Sequence, residues 1–385
     1  MKPVYPNIPE FMPKYNNCNE SNTVQHWGFF DKQELIENTG RLLMLDIDFG
    51  RKCSLNCPTC FRKSNPVDDD THIDLDYDRL LNVIQDARTI GLKSVKICGA
   101  GEPLENPLIL RFARDLTDIG IGLAIFTKGH ILGDDTRVAD IYGSFGIKDA
   151  FTLCQSFYKL KTSFLVSFQS AYYDIQNKLV GSINGYSLKR NRAIELLAKA
   201  GFNKSIPTRL AVCSNPITNL NYREIFDIYM YARKRNILPV TAALMVSGKQ
   251  FNNGFLHDTD VTDKEKEELF LQIYKYNLKY GYSTKEQLLD EGISCMPGIH
   301  PCNQIAVGLY LTSNGNIIRC PGDSGKPIGN VQEESITSIW NKHKDWEYRD
   351  HFNCYCPYKD GISLPIGIYK RTLQNLLNVE FANNE

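Results

Sequence analysis

Short apolar runs alternate with amphipathic segments along the first two thirds of the chain. The runs are rich in the β-branched and aromatic residues that favour strands. They lie at residues 41–49, 94–98, 122–126, 164–168, 208–213 and 240–245. The pattern therefore predicts six strands.

The segments between these runs favour helices. Between residues 77 and 87, apolar side chains recur at helical spacing and form one apolar stripe, at Tyr77, Leu80, Leu81, Ile84 and Ala87. Further helices are predicted near residues 107–117, 188–200 and 222–234. Alternating strands and helices imply a parallel sheet with helices outside it, so we expect an α/β fold of about six β/α units.

Composition and charge exclude several classes of protein. Lys+Arg and Asp+Glu are balanced at 44 each among 385 residues, so no overall charge indicates a nucleic-acid or membrane partner. The first forty residues form an arm with a short helix predicted near residues 32–37, and they contain no secretion signal. Twelve cysteines without such a signal are typical of a reducing, cytoplasmic compartment, where they serve as metal ligands or free thiols.

Three of these cysteines, Cys53, Cys57 and Cys60, follow the first predicted strand with Cys-x3-Cys-x2-Cys spacing. Three thiolates on one loop can hold three corners of a 4Fe–4S cluster and leave the fourth iron open to a small molecule. The alternative is a structural zinc site, which usually pairs two Cys hairpins or a Cys pair with a His pair. His72 is the first histidine downstream, and it has no partner at that spacing.

A glycine-rich turn, Gly-Ala-Gly-Glu-Pro at residues 99–103, follows the second predicted strand. Gly99 and Gly101 would let the backbone approach a ligand closely, and Glu102 adds a carboxylate. Ligands of α/β folds gather at the C-terminal ends of the strands, so this turn and the cysteine loop should lie on the same rim.

A second set of cysteines lies near the C-terminus. Asn314-Gly315 separates two apolar segments and predicts a tight hairpin, which should bring Cys302 and Cys320 together. Cys354 and Cys356 add two thiols from one short loop, and Cys295 is an alternative to one of that pair. Four thiolates suit either a fully ligated iron–sulfur cluster or a structural zinc.

The cysteine triplet resembles the signature of the radical S-adenosylmethionine (SAM) enzymes, and residues 99–103 are similar to their Gly-Gly-Glu-Pro run. The resemblance implies a partial (β/α)6 TIM-like barrel, a SAM-binding 4Fe–4S cluster, and a turn whose polar groups, Glu102 included, hold the amino group of SAM. The chain departs from the family pattern at Thr59, where an aromatic residue usually stands, and at Ala100. Weaker similarities at strand ends add candidate SAM-binding residues, namely Ser167, Gln169 and Asn215.

The C-terminal cysteines are similar to the twitch domain of these enzymes, a shortened form of the SPASM domain. Shared features are the hairpin between two cysteines, Gly315-x4-Cys320, and the run Ser-Ile-Thr-Ser-Ile-Trp at residues 335–340. With four or five cysteines available, the resemblance implies one auxiliary 4Fe–4S cluster. The implied division is an N-terminal arm at 1–40, a radical SAM core at 41–250, a helical linker at 251–299 and a small cysteine-rich β-hairpin/α domain at 300–385.

The resemblance implies a radical SAM oxidoreductase that cleaves SAM reductively to a 5′-deoxyadenosyl radical, which abstracts hydrogen from a substrate. An auxiliary cluster would suit an oxidation, a dehydrogenation. The implied partners are a small-molecule or short-peptide substrate and an electron donor such as flavodoxin or ferredoxin. The 52 residues before Cys53 leave little room for a peptide-gripping module. Three alternatives stay open: a maturase of ribosomal peptides, an activase or redox-neutral rearrangement enzyme, and a non-enzymatic zinc protein.

Overall fold

Nine strands form one sheet within the residues that the structure describes, and the first six are parallel. The structure is a computed structural model that describes residues 2–63, 74–181, 185–245, 247–249, 261–323, 325–343 and 356–377. The strands are β1 (Met44–Ile47), β2 (Ser94–Ile97), β3 (Gly122–Thr127), β4 (Ser163–Ser167), β5 (Leu210–Cys213), β6 (Leu238–Val240), β7 (Gly308–Leu311), β8 (Asn316–Ile318) and β9 (Gly329–Asn330). Their order across the sheet is β6-β5-β4-β3-β2-β1-β7-β8-β9.

This arrangement confirms the α/β prediction and the open, partial (β/α)6 barrel. The sixth predicted strand was wrong in its extent, because β6 ends at Val240 rather than continuing to residue 245. Val240 pairs with Cys213, the last residue of β5. Beyond this pair the two segments are joined by separate hydrogen bonds, from the Ser214 N–H to the Val240 carbonyl at 2.8 Å and from the Ile217 N–H to the Ala242 carbonyl at 3.0 Å. Residues 242–245 belong to no strand or helix.

Several helices of the described residues pack on the outer face of the sheet, and others form smaller apolar clusters beside it. In chain order they are α1 (Cys18–Ser21), α2 (Lys32–Glu37), α3 (Tyr77–Thr89), α4 (Leu108–Asp118), α5 (Asp135–Tyr142), α6 (Ala150–Lys159), α7 (Tyr173–Val180), α8 (Tyr186–Ala200), α9 (Tyr222–Arg233), α10 (Asp263–Tyr280), α11 (Lys285–Glu291), α12 (Gln304–Val307), α13 (Ile336–His343) and α14 (Ile368–Leu377). The short helix predicted at residues 32–37 is α2, whereas α5, α6 and α7 were not predicted. Short 3₁₀ turns follow β2, α5 and α8.

Alternate residues of each strand face opposite sides of the sheet. Leu45 and Ile47 of β1 pack outward with Ile84 of α3 and Phe112 of α4 in one continuous apolar core. Asp46, between them, faces the barrel interior together with polar side chains of the neighbouring strands. The outer face therefore supplies the apolar core, while the inner face carries groups able to do chemistry.

The C-terminal hairpin extends the barrel sheet instead of forming a separate layer. β7 pairs in parallel with β1, and β8 and β9 follow as antiparallel strands. Gly315 adopts φ 89° at the hairpin turn, a left-handed conformation that favours glycine, as the Asn-Gly signal predicted. The hairpin prediction is confirmed, but its pairing with the first barrel strand had no signal in the local sequence.

The N-terminal arm and the segment before β7 are joined through one buried guanidinium. Arg233, at the end of α9, donates from Nη2 to the Gly298 carbonyl at 2.7 Å and to Asn22 Oδ1 at 2.9 Å. Its Nη1 donates to the Ser21 carbonyl. Two distant parts of the chain are thus held to one helix end.

Asp48, directly after β1, is a hub of buried hydrogen bonds. Its carboxylate accepts from Arg62 Nη2 at 3.0 Å, from the Ala100 backbone N–H at 2.5 Å and from the Ser313 backbone N–H at 3.3 Å. The Tyr310 hydroxyl donates to the same carboxylate. One side chain therefore ties the cysteine loop, the glycine-rich turn and the C-terminal hairpin together.

Within the described residues, no helix is both long and apolar enough to cross a membrane.

We predict that Asp48→Asn lowers the free energy of unfolding by about 3–5 kcal/mol, because it leaves the Arg62 guanidinium buried without its counter-charge. The side chains of Arg62 and Asp48 are 0% and 1% exposed. Urea denaturation followed by circular dichroism measures the change. Glu10→Gln, in the exposed pair with Lys234 at 3.7 Å, is the control and should cost less than about 1 kcal/mol. Equal losses in the two variants would contradict the assignment of Asp48 as a hub.

Candidate functional site

The loops after β1 to β6 open into one cavity at the C-terminal ends of the strands. Its volume is about 450 Å³, within the range of small-molecule sites. The cysteine loop, the glycine-rich turn and residues 126–128 line one part of it. The rest is lined by Gln169, Asn215, Pro216 and residues 242–245, and by Lys359 from the C-terminal part of the chain. The structure thus brings the two sequence motifs to one rim, as their positions after neighbouring strands predicted.

Cys53, Cys57 and Cys60 all line this cavity. Two of the three sulfur atoms accept backbone hydrogen bonds, Cys53 Sγ from the Leu55 N–H at 3.4 Å and Cys60 Sγ from the Lys63 N–H at 3.3 Å. Such N–H···S bonds stabilise thiolates and tune the reduction potentials of iron–sulfur clusters. The three thiols are therefore arranged on one loop with their sulfur atoms available to a shared ligand.

The segment after β6 fixes the cysteine loop from the other side. The Lys249 N–H donates to the Cys60 carbonyl at 3.1 Å, and its Nζ donates to Asn56 Oδ1 at 2.6 Å. A Cβ on Gly248 would lie 2.4 Å from the backbone of Phe61, so only glycine fits this approach. The loop is consequently held at both ends of the barrel opening, by Asp48 at the first strand and by this segment at the last.

Glu102 lies in the cavity wall, but its carboxylate is engaged by the end of β3. Oε1 accepts from the Thr127 hydroxyl at 2.6 Å and Oε2 accepts from the Lys128 N–H at 2.8 Å. The Glu102 N–H in turn donates to the Lys52 carbonyl at 2.7 Å. This side chain therefore couples the glycine-rich turn to the next strand end and to the cysteine loop, and the cavity reaches it from the remaining side.

The structure explains the two glycines of the turn differently from the sequence prediction. A Cβ on Gly99 would lie 1.8 Å from Asp48 Oδ1, and one on Gly101 would lie 2.7 Å from the Gly50 carbonyl oxygen. Both glycines permit a close approach of the turn to the loop after β1. Both also line the cavity, so contact with a ligand there stays a prediction.

The three weaker candidates lie at the ends of β4 and β5. Gln169 and Asn215 line the cavity, whereas the buried Ser167 hydroxyl accepts from Lys128 Nζ at 3.1 Å. Gln169 Oε1 accepts from Gln176 Nε2 at 3.0 Å. Asn215 Oδ1 is buried and has no hydrogen-bond partner among the described residues. That oxygen is a free acceptor at the cavity, which fits a bound molecule with N–H or O–H donors.

The C-terminal thiols converge on the inner side of the same region. Burial raises the pKa of Cys302 and of Cys320, and each of these thiols also feels the charge of Cys356. Cys295 lies within the same set and shares an apolar cluster with Cys302 and Cys356. The sequence prediction that Cys302 and Cys320 are neighbours agrees with this arrangement. Cys354, the remaining predicted ligand, lies outside the described residues.

Cys295 and Cys356 form a hydrogen-bonded thiol pair. The hydrogen bond with Cys295 is the largest effect on Cys356 and lowers its pKa to about 7, while the pKa of Cys295 is raised. Cys320 Sγ accepts from the Gly322 N–H at 3.5 Å. Of the two alternatives left open by the sequence, the structure therefore brings Cys295 into the set.

Lys96 of β2, which acts on Cys302 from the barrel, forms an ion pair with Asp46 of β1. Lys96 Nζ lies 3.0 Å from Asp46 Oδ1 and donates to Gln304 Oε1 at 3.1 Å. Lys96 also lies over the Trp27 ring, and its charge reaches Cys302. The cation nearest to the thiols on the barrel side is thus neutralised by a carboxylate.

Sequence reasoning did not predict Asp48, Arg62 or Lys359 as parts of the site. Asp48 did have a signal in the sequence. It lies two residues after Asp46 of β1, and side chains two residues apart along a strand point to the same side of the sheet. Arg62 and Lys359 lie two and three residues after cysteines, but nothing in their local sequence indicates that either is buried.

The donor chemistry fits iron–sulfur clusters at both cysteine sets. Each set consists of thiols, and sulfur atoms in both accept backbone N–H bonds. Within the described part of the chain, no three Cys, His, Asp or Glu side chains are arranged to hold a single metal ion. The thiolates of a cubic cluster bind different irons, so they stand further apart than the ligands of one ion do.

Comparison with known proteins agrees with this chemistry. Residues 302–358 match the SPASM family, described as an iron–sulfur cluster-binding domain. The chain is similar to native anSMEcpe with bound AdoMet, at 14% identity and a TM-score of 0.57, over 87% of this chain and 96% of that one. It is also similar to Streptococcus suis SuiB bound to precursor peptide SuiA, at 14% identity and a TM-score of 0.50, over 82% and 70% of the two chains. No curated protein matches the chain.

At 14% identity these likenesses concern the fold. The cofactors expected from the sequence are nevertheless those that the matches carry, since the matched family binds iron–sulfur clusters and the anSMEcpe structure contains AdoMet. The cysteine loop, the open parallel sheet and the C-terminal hairpin all agree with these matches. The chain shares the fold of these structures, and its residues 302–358 match the SPASM family.

Proposed function

We propose that this protein is a radical SAM enzyme that oxidises its substrate with the help of an auxiliary 4Fe–4S cluster. The observation that carries the proposal is the shared cavity, into which three thiols of the Cys-x3-Cys-x2-Cys loop and the glycine-rich turn both open. A barrel rim that only stabilised the fold would have no reason to leave three cysteines facing a cavity of this size.

In the proposal Cys53, Cys57 and Cys60 hold three irons of a cluster, and SAM occupies the cavity beside it. The chemistry that this group would supply when bound with SAM is hydrogen abstraction from the substrate by a 5′-deoxyadenosyl radical. The chain's own residues bind and orient: Asn215 offers its unpaired carbonyl oxygen, and Glu102 fixes the Lys128 N–H at the end of β3. The walls contributed by residues 242–245 and Lys359 limit the access of water.

The SPASM domain is proposed to hold the auxiliary cluster through Cys302, Cys320 and Cys356, with either Cys295 or Cys354 as the fourth ligand. Cys295 shares one apolar cluster with Cys302 and Cys356, which supports it as that ligand. Four thiolates leave no iron open for substrate, so the use of this site would be electron transfer. Electron transfer at this site suits an oxidation of the substrate. The proposed domain boundaries place the radical SAM core at residues 41–250 and the cluster domain at residues 300–385.

A peptide substrate is the second candidate. Two of the similar structures hold peptides, SuiB with precursor peptide SuiA and anSMEcpe with the Cp18Cys peptide. A short peptide or a small molecule with a C–H bond near a polar group would each suit the cavity. An activase or a redox-neutral enzyme would make no use of an auxiliary cluster.

We expect Cys57→Ala to abolish SAM cleavage, because it removes one of three thiolates from the proposed SAM-binding cluster. Reduced wild-type protein should release methionine and 5′-deoxyadenosine from SAM, measured by liquid chromatography. Cys154→Ala is the matched control, since Cys154 is buried in α6 away from the cavity. Cleavage at the native rate in Cys57→Ala would show that the assignment of this loop is wrong.

Glu102→Gln should weaken SAM binding by about ten- to a hundredfold. It removes a charged acceptor, worth on the order of 1.5–3 kcal/mol, from the wall of the proposed SAM site. Equilibrium dialysis with labelled SAM measures the affinity. Glu224→Gln is the control, because that carboxylate also holds a strand-end loop, through the Ala171 N–H at 2.9 Å. If both variants bind SAM as wild type does, Glu102 serves the scaffold alone.

Native protein purified anaerobically should contain about eight irons per chain, as two clusters of four. The double variant Cys302→Ala/Cys320→Ala should retain about four and still cleave SAM. Iron, zinc and acid-labile sulfide analysis decides the outcome, with Cys154→Ala as the control. Native protein with about four irons and one zinc would show a structural C-terminal site and would remove the basis for the oxidation.

A further inference from the structure

One lysine of the SPASM domain connects the C-terminal thiols with the cavity. Lys359 lines the cavity wall, although it is only 5% exposed. Its ammonium makes no hydrogen bond or ion pair with any residue that the structure describes. A buried charge without a partner is costly, so a fold keeps one where it compensates a charge that arrives with a ligand.

The backbone around Lys359 is rigid. Its carbonyl accepts from three N–H groups, those of Ile362 at 3.0 Å, Ser363 at 2.9 Å and Leu364 at 2.9 Å. The Ser363 hydroxyl donates to the Leu244 carbonyl at 2.6 Å, which anchors this turn to the cavity wall after β6. The lysine is therefore held in its position by the fold before any ligand binds.

Lys359 lies in the same turn as one of the C-terminal thiols, because its N–H donates to the Cys356 carbonyl at 3.0 Å. Burial alone would lower its pKa, but Cys295, Cys356, Cys302 and Cys320 outweigh that effect and the net shift is upward. The neighbouring carboxylate of Asp360 is engaged by the Cys356 N–H at 2.8 Å and by the Tyr369 hydroxyl at 2.6 Å.

The contrast with Lys96 shows what is unusual about this cation. Both lysines act on Cys302, but Lys96 is neutralised by Asp46 at 3.0 Å. Lys359 brings a net positive charge to the thiols from the side of the cavity. Inside a protein, charges interact much more strongly than they do in water.

We propose that Lys359 raises the reduction potential of the auxiliary cluster by placing an uncompensated positive charge between that cluster and the cavity. The inference rests on the proposed function, in that it requires a cluster at the C-terminal thiols. An added electron makes the cluster more negative, and a fixed cation nearby stabilises this reduced form. Lys359 thereby makes the cluster a better acceptor for an electron leaving the cavity.

The test is a redox titration of the full, cluster-loaded chain, followed by electron paramagnetic resonance of the auxiliary cluster. Lys359→Met should lower its reduction equilibrium constant by about tenfold or more, and tenfold corresponds to about 59 mV for one electron. Lys359→Arg keeps the charge and should restore most of the native potential. Lys128→Met is the matched control, because Lys128 lines the same cavity but lies at the end of β3.

Three results would overturn the inference. An unchanged potential in Lys359→Met, at about eight irons per chain, would show that the charge has no effect on the cluster. A loss of SAM affinity at unchanged potential would instead assign the ammonium to the carboxylate of SAM. Equal shifts in the Met and Arg variants would show a packing effect. By contrast, about four irons in the wild type would overturn the auxiliary cluster itself, and the proposed oxidation with it.

Discussion

The buried ion pair between Asp48 and Arg62 is the constraint on which the rest of the site depends. Its 3.0 Å contact joins the first barrel strand to the loop that carries the three cysteines. The same carboxylate holds the glycine-rich turn through Ala100 and the C-terminal hairpin through Tyr310 and Ser313. Removing a charge pair from water is expensive, and only the additional hydrogen bonds make this arrangement favourable. The position of the candidate cofactor site is therefore set by electrostatics in the interior as much as by the apolar core.

Much of the fold follows from local pattern. Five of the six predicted barrel strands lie within a few residues of the observed ones, because β-branched residues in short apolar runs are a strong signal. The helices α5, α6 and α7 had a weaker signal in the local sequence. α6 contains Phe, Thr, Cys and Tyr, which are poor helix formers, and tertiary packing of Leu153 and Phe157 decides its conformation. Only its N-cap, Asp149, was a local signal.

The candidate site was predictable where the spacing of residues in the sequence indicates a set of ligands. Three cysteines on one loop and a turn after the next strand share a rim in any parallel α/β sheet. The residues that complete the site come from far along the chain, and their partners are not visible in local sequence. Lys359 lies in a turn that docks on Leu244, and Cys295 shares an apolar cluster with Cys356 and with residues of α10, α11 and α14.

The parallel pairing of β7 with β1 has a consequence for biosynthesis. Met44 pairs with Gly308, so the sheet cannot be completed on that side until most of the chain has been made. At roughly 5–20 residues per second, the ribosome needs on the order of tens of seconds to pass from one strand to the other. During that interval the cysteine loop has left the ribosome but lacks Tyr310 and Ser313, its supports at Asp48. The surroundings of the cysteine loop are therefore completed only after the last strands have been synthesised and have reached Asp48.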